Sequence, residues 1–188
     1  MITPETFYIF AVKISFLVKI DNTLFNDSIA SENQQIHLPI LEEKKIELFI
    51  KREDLIHPFV SGNKFRKLKY NLKEAKKLKK NSLLISDLEL QVKKLEENST
   101  LREAHNHGMK FQFVSREEYR QKTSFGLIEK LKNKWGDFYL IPEGGTNLLA
   151  VKGCEEILSK EDKEFNFICA ALGTGGTVSG LINSISKK

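Results

Sequence analysis

Apolar side chains at Phe65, Leu68, Leu72, Ala75 and Leu78 return every three or four residues, while Lys67, Lys69, Lys73, Lys76 and Lys77 fill positions between them. That spacing predicts an amphipathic helix with a solvated, lysine-rich face. Just before it, Ile46 to Lys51 alternates partly and is rich in β-formers, and His57-Pro58 with Ser61-Gly62-Asn63 supplies turn and cap residues. A strand leading through a loop into the helix is expected. Nearer the start, Phe7 to Ile20 reads as a strand or a short buried helix, and Asp21 to Gln35 as a polar connection.

The same alternation continues downstream. The pattern predicts strands over Ser82–Ser86, Lys110–Val114 and Phe138–Ile141, and a buried strand over Phe165–Leu172. Helices are expected over Leu88–Glu97, Thr100–His107, Glu117–Lys134 with a break near Gly126, Leu148–Ser159 and Val178–Ser186. Strands and helices taking turns argue for an α/β fold on a parallel sheet. A sheet ending at Leu172 with one short helix after it would leave apolar surface uncovered, so the pattern also predicts a chain that is cut short.

Composition narrows the class. With 188 residues, 40% hydrophobic and 29% charged, the chain has the makeup of a globular protein rather than a disordered or fibrous one. Its formal net charge of +5 permits nucleic-acid binding without indicating it, since the acidic residues are spread throughout. Lys13 and Lys19 interrupt the apolar stretch near the start, which predicts no membrane anchor, and no cleavage-site pattern follows it. Cys154 and Cys169 are too few for a disulfide framework and fit a reducing compartment. The expectation is a cytoplasmic protein that binds neither nucleic acid nor membrane.

Two segments could carry chemistry. Gly173-Thr174-Gly175-Gly176-Thr177 lies where a predicted strand hands over to a helix, so backbone N–H groups and the positive helix end can converge on an anion such as a phosphate. It is neither G-x-G-x-x-G nor a Walker loop. The same glycines could simply serve a tight turn. Lys64 opens the lysine-rich helix, where the helix dipole and the neighbouring Arg66 and Lys67 disfavour a further positive charge and favour the neutral amine that attacks carbonyls. Taken alone, a lysine in such a helix is ordinary surface. His105 and His107, two residues apart, do not share a helix face, and no metal is expected. Glu143, in its glycine-rich loop, could line a cleft or cap the helix that follows.

Lys51-Arg52-Glu53-Asp54-Leu55 followed by Ser61-Gly62-Asn63-Lys64-Phe65-Arg66-Lys67-Leu68 resembles the lysine segment of the 1-aminocyclopropane-1-carboxylate deaminase/D-cysteine desulfhydrase family, within the tryptophan-synthase-β-like (fold type II) pyridoxal phosphate enzymes. Phe113 to Tyr119, Ile141-Pro142-Glu143-Gly144-Gly145-Thr146-Asn147 and the Gly173–Thr177 loop follow in family order. The resemblance implies an enzyme in which Lys64 holds pyridoxal 5'-phosphate as a Schiff base and shuttles protons. It implies that Gly173, Thr174, Gly175, Gly176 and Thr177 bind the cofactor phosphate. A small amino acid, 1-aminocyclopropane-1-carboxylate or D-cysteine, would be broken down to a 2-oxo acid and ammonia, with sulfide released from D-cysteine. Homo-oligomerisation is compatible with it.

The chain also departs from the family. Members carry a glycine-rich loop ending in Ser-Asn-His after the strand that matches Leu83-Leu84, whereas here Ile85-Ser86-Asp87 passes straight to Leu88-Glu89-Leu90. Members also continue well past the phosphate loop. The expected organisation is therefore a remnant of the large cofactor-binding domain over residues 1–65 and 126–188, with a reduced small domain over 66–125. Two functional expectations follow: a deaminase/desulfhydrase of impaired activity, or a non-catalytic remnant that at most binds the cofactor or a partner subunit.

Overall fold

The computed structural model describes residues 7–13, 30–57, 60, 62–80, 82–89, 102, 105–106, 109–114, 116–121 and 123–186; for 7–13, 82–89, 111–114 and 116 the backbone alone is described. The chain divides into two compact units, one formed by 1–25 with 71–147 and the other by 26–70 with 148–188. The divisions thus fall at Tyr70/Asn71 and Asn147/Leu148, and each unit takes two separate stretches of sequence.

In the first unit, strands β1 (Phe7–Lys13), β4 (Ser82–Glu89), β5 (Lys110–Val114) and β6 (Tyr139–Ile141) form one sheet in the order β5-β1-β4-β6. β4 and β6 are parallel, with Leu83 opposite Tyr139 and Ile85 opposite Ile141. β1 is antiparallel to both its neighbours, pairing Lys13 with Ser82 and Ala11 with Lys110. The three strands from the alternating part of the sequence therefore run the same way, as expected, and β1 departs from the parallel sheet. The alternating pattern that predicts parallel strands begins downstream of β1 and does not fix its direction.

Two helices, α3 (Arg116–Arg120) and α4 (Phe125–Trp135), accompany this sheet. The expected break near Gly126 lies earlier, because the Ser124 side chain accepts from the Leu127 N–H and caps a new helix there. Tyr119, Leu131 and Phe138 form a buried cluster packed by Leu127, Ile128, Trp135 and Leu140. β4 continues as strand through Leu88 and Glu89, where a helix was expected. The remainder of that expected helix, most of Thr100–His107, and the residues 14–20 of the first apolar stretch lie outside the described residues.

In the second unit, β2 (Asn33–Ile36) and β3 (Leu48–Lys51) form an antiparallel pair, Asn33 opposite Lys51 and Ile36 opposite Leu48. β2 thus begins inside the stretch expected to be irregular. Helix α1 (Pro39–Glu43) joins the two strands, with proline in its first turn, where a missing N–H costs nothing. Helix α2 (Gly62–Lys77) begins in this unit and ends in the other. Helices α5 (Leu148–Cys154) and α6 (Gly176–Ser186) complete the second unit, α5 stopping five residues short of its predicted end.

Two sequence expectations fail here. The face of α2 read as solvated lysine is not uniformly so: Lys67 and Lys69 are buried, as is Arg66, whereas Lys76 and Lys77 are exposed. Partly buried carboxylates, Glu53 for Arg66 and Glu156 for Lys69, make this possible for those two residues, as described below. The predicted strand over Phe165–Leu172 belongs to neither sheet, and Phe167 is 89% and Leu172 74% exposed. A strand exists through its ladder, and the described residues place no neighbour beside this run. Among the described residues, no helix is long and apolar enough to cross a membrane.

Candidate functional site

All the residues singled out for chemistry in the lysine segment and the glycine loop lie in the second unit. Gly62, with φ of 62°, turns the chain into α2, so that Asn63 and Lys64 occupy its first turn and are exposed. Ser61 lies outside the described residues. Gly173, Thr174 and Gly175 form a bend before α6, which starts at Gly176. Gly175 has φ of 83°, a conformation an L side chain resists, and its carbonyl accepts the first helical bond, from Ser179 N–H at 2.9 Å. A Cβ added at Gly173 or Gly175 would meet no atom within 4 Å, so the loop's outer side is open.

The Asn63 side-chain amide donates to the Thr177 hydroxyl oxygen at 3.0 Å. The first turns of α2 and α6 are therefore hydrogen-bonded to each other, although 114 residues separate the two partners. Lys64 follows Asn63 directly, and Thr177 closes the glycine loop. Below this junction lies Cys154, fully buried at the end of α5. Burial pushes its thiol pKa up, opposed by the nearby charge of Lys67 and by a hydrogen bond with Thr177. Lys67, itself buried, thus lies close enough to Cys154 to act on its thiol. The sequence reading missed it, because periodicity put it with the solvated lysines; its place one helical turn after Lys64 was the available signal.

The Lys51–Leu55 segment turns out to be a bracket. Arg66 Nε and Nη2 donate to the two oxygens of Glu53 at 2.9 and 2.8 Å, and the Ser31 hydroxyl donates to Glu53 at 2.6 Å. This fork-on-fork geometry is the strong form of the arginine–carboxylate pair. It ties the residue two places after Lys64 to the preceding turn. On the next exposed-to-buried step of α2, Lys69 Nζ meets Glu156 at 2.6 Å and the Tyr70 hydroxyl donates to the same carboxylate. Lys51 itself reaches Asp162 at 2.8 Å. Asp162 also accepts from Asn33 Nδ2 at 2.8 Å and from the Ser159 N–H and hydroxyl at 2.6 and 3.0 Å. Burial pushes the Asp162 carboxyl pKa up, but the bonds from Lys51, Asn33 and Ser159 outweigh it and hold it below the ordinary carboxylate range.

The Ile141–Asn147 segment lies in the first unit. After β6 it makes a short turn over Glu143–Gly145 with φ of 62° at Gly144 and 65° at Gly145. Glu143 is exposed. Asn147 exchanges side-chain amide bonds with the buried Asn71 of α2, at 2.7 and 3.2 Å, and the Tyr139 hydroxyl donates to Asn71 at 3.1 Å. This anchors the glycine turn to the last part of α2. His105 is exposed, and His107 and Ser115 lie outside the described residues. Among the described residues, no three His, Cys, Asp or Glu side chains gather as metal ligands.

A lysine at one helix mouth, hydrogen-bonded through its neighbour Asn63 to the end of an open glycine bend at the next, has the chemistry to meet a carbonyl compound bearing an anionic group. No profile of a known protein family matches the chain. A putative 1-aminocyclopropane-1-carboxylate deaminase of Thermotoga maritima is 32% identical over 180 residues, covering 77% of this chain and 56% of that protein. A protein of the same description from Pyrococcus horikoshii is 29% identical, covering 80% and 55%. The mitochondrial bifunctional D-cysteine desulfhydrase/1-aminocyclopropane-1-carboxylate deaminase of Arabidopsis thaliana is 29% identical, covering 72% and 44%. A crystal structure of an ACC deaminase homologue superposes with a TM-score of 0.63 at 24% identity, over 93% of this chain and 62% of that one.

The fold is thus an incomplete tryptophan-synthase-β-like α/β fold, that of the fold type II pyridoxal phosphate enzymes. By sequence, the chain is similar to proteins of the 1-aminocyclopropane-1-carboxylate deaminase/D-cysteine desulfhydrase family. It spans about half the length of the curated relatives it matches.

Proposed function

We propose that this chain binds pyridoxal 5'-phosphate in its second unit and carries the deaminase/desulfhydrase chemistry of its family on a small amino acid, with activity reduced relative to full-length members. The hydrogen bond between Asn63 and Thr177 supports this reading most directly, because it joins the mouth of the Lys64 helix to the glycine loop. The residues present fit the cofactor's two ends. The open bend at Gly173, Thr174 and Gly175 and the first N–H groups of α6, from Gly176 and Thr177, would hold the phosphate, with Lys67, close to Cys154, lending charge. Lys64 Nζ, solvent-exposed on the first turn of α2, would hold the aldehyde carbon and afterwards carry a proton at that nitrogen. When bound, the cofactor supplies an electron sink for the substrate's α-carbon. The Arg66–Glu53 fork keeps the start of α2 in place, so Lys64 approaches from a fixed direction. The expected substrates are 1-aminocyclopropane-1-carboxylate or D-cysteine, the products a 2-oxo acid and ammonia, and the setting the cytoplasm.

A second reading, a non-catalytic binder of the cofactor, draws on β4. Its backbone runs as uninterrupted strand from Ser82 to Glu89, through the position at which the family resemblance calls for the Ser-Asn-His loop. One experiment separates the readings. Purified chain is mixed with pyridoxal phosphate, the visible absorption of a bound lysine adduct is followed, and sulfide release from D-cysteine is assayed. The enzyme reading expects both signals, each lost in Lys64→Ala. A band without turnover of either substrate leaves the non-catalytic binder, and absence of the band in the wild-type chain refutes cofactor binding altogether.

A further inference from the structure

The formal net charge of +5 is not spread evenly along the chain. Residues 73–80 hold five lysines and one glutamate, and residues 129–137 hold three lysines, one glutamate and one aspartate. Together they carry the whole excess, and the rest of the chain balances to zero. Both segments belong to the first unit and both are helix ends: the last part of α2 with the turn after it, and the last part of α4 with its Gly136 cap. Lys80 reaches across to Asp137 in an ion pair, which joins the two ends. That bond, opposed by desolvation and helped by the charges of Lys80 and Lys132, holds the Asp137 carboxyl below the ordinary carboxylate range, so Lys132 shares the neighbourhood. Lys76, Lys77, Lys79, Lys130, Lys132 and Lys134 are exposed.

Capping accounts for little of this charge. The C-terminus of a helix amounts to about half a negative charge, so two such ends are matched by about one lysine. Of the carboxylates within the two segments, Glu74 faces Lys77 at 3.7 Å and Asp137 faces Lys80. Like charges crowded on one surface repel each other, and an anion laid across them relieves that repulsion. We infer that the joined ends of α2 and α4 are a docking surface for an acidic polypeptide segment, which sets carboxylates against these lysines and an apolar side chain on Leu78. Leu78, 49% exposed, is the large apolar side chain exposed among them. Other polyanions fit less well. Neither segment holds an arginine, whose fork reads phosphates and base edges. Trp135 offers no open ring to a nucleobase, because it packs on the Tyr119, Leu131 and Phe138 cluster with the Lys134 ammonium 5.6 Å from its ring centroid. A membrane surface wants a broad apolar face beside the lysines, and α2 buries its own in the core at Leu72 and Ala75. The inference rests on charge and not on the cofactor reading.

The test uses the full chain without pyridoxal phosphate and a fluorescent peptide of repeated Glu-Glu-Leu-Glu units, whose binding is followed by anisotropy. Affinity is expected to fall about tenfold or more in the triple reversal Lys76→Glu, Lys79→Glu and Lys132→Glu. Lys76→Gln, Lys79→Gln and Lys132→Gln together should give a smaller loss in the same direction, and circular dichroism checks that both variants keep their helix content. The same change in net charge made at exposed lysines of the second unit, Lys45→Glu with Lys160→Glu and Lys163→Glu, should leave affinity within about twofold. Leu78→Ser should weaken this peptide several-fold and leave a peptide of glutamate alone unaffected. Absence of peptide binding, or equal loss in the two triple reversals to glutamate, would overturn the inference. Tighter binding of a single-stranded oligonucleotide or of phosphatidylserine vesicles than of the peptide, at equal salt, would assign the surface to another partner and overturn it too. Loss of binding in Lys64→Ala would do the same, by placing the peptide at the glycine loop. Because no readout involves the cofactor, failure here leaves the Lys64 proposal standing, and a missing cofactor band leaves this one standing.

Discussion

Asp162 gathers five hydrogen bonds from three residues on one buried carboxylate, and its side chain is 3% exposed against 15% for Lys51. Asp162→Asn keeps the shape but leaves the Lys51 ammonium with no charge opposite it, a change expected to cost about 2–4 kcal/mol by urea denaturation. The pH dependence follows from the sign of the shift. The folded carboxyl titrates below its unfolded value, so its contribution is fully present above the unfolded pKa, near 3.9, and drains away as pH falls through the lower folded pKa. Wild-type stability should therefore fall more steeply on acidification than that of Asp162→Asn, in denaturation curves taken between neutral pH and about pH 3. None of this was visible in the sequence, since Lys51 and Asp162 lie 111 residues apart and neither sits in a pattern that names the other. Lys64 and the Gly173–Thr177 loop were visible because their chemistry is carried by contiguous residues.

At the scale of elements, close packing of helices decides more than propensity. A Cβ on Gly153 of α5 would lie 1.9 Å from the Arg66 carbonyl oxygen in α2, and one on Gly180 of α6 would lie 2.4 Å from Cys154 Cβ. Both contacts involve atoms that cannot swing aside. Gly153→Ala should force α5 away from the Lys64 helix and cost about 2–4 kcal/mol, whereas Gly126→Ala in α4, with nothing within 4 Å, should be neutral or slightly stabilising. Thermal melts of the two variants side by side check this. Helix α2 was legible from its apolar period, yet the burial of Lys67 and Lys69 was not, because Glu156 comes from a distant stretch and an apolar period cannot register an ionic partner. Phe165–Leu172 shows the opposite failure: its residues favour a strand, but pairing is supplied by other segments and not by propensity.

For the whole molecule, the sequence indicated the α/β class and the family, whereas the interleaving of the two units was hidden. Each unit recruits residues from two distant stretches, and only contacts across those stretches reveal it. The chain's net charge of +5 means that any salt will act on it somewhat, by screening repulsion over the Debye length. Against that background, the side-by-side starts of α2 and α6, held by Asn63 and Thr177, have a distinct electrical consequence. The first turns of two helices meet there, with the buried Lys67 acting on the neighbouring Cys154, and positive helix ends of this kind favour a compact oxyanion. Inorganic phosphate should therefore raise the melting temperature of the apo chain above that in chloride at equal ionic strength, by an amount that saturates with concentration, and Lys67→Met should abolish the difference.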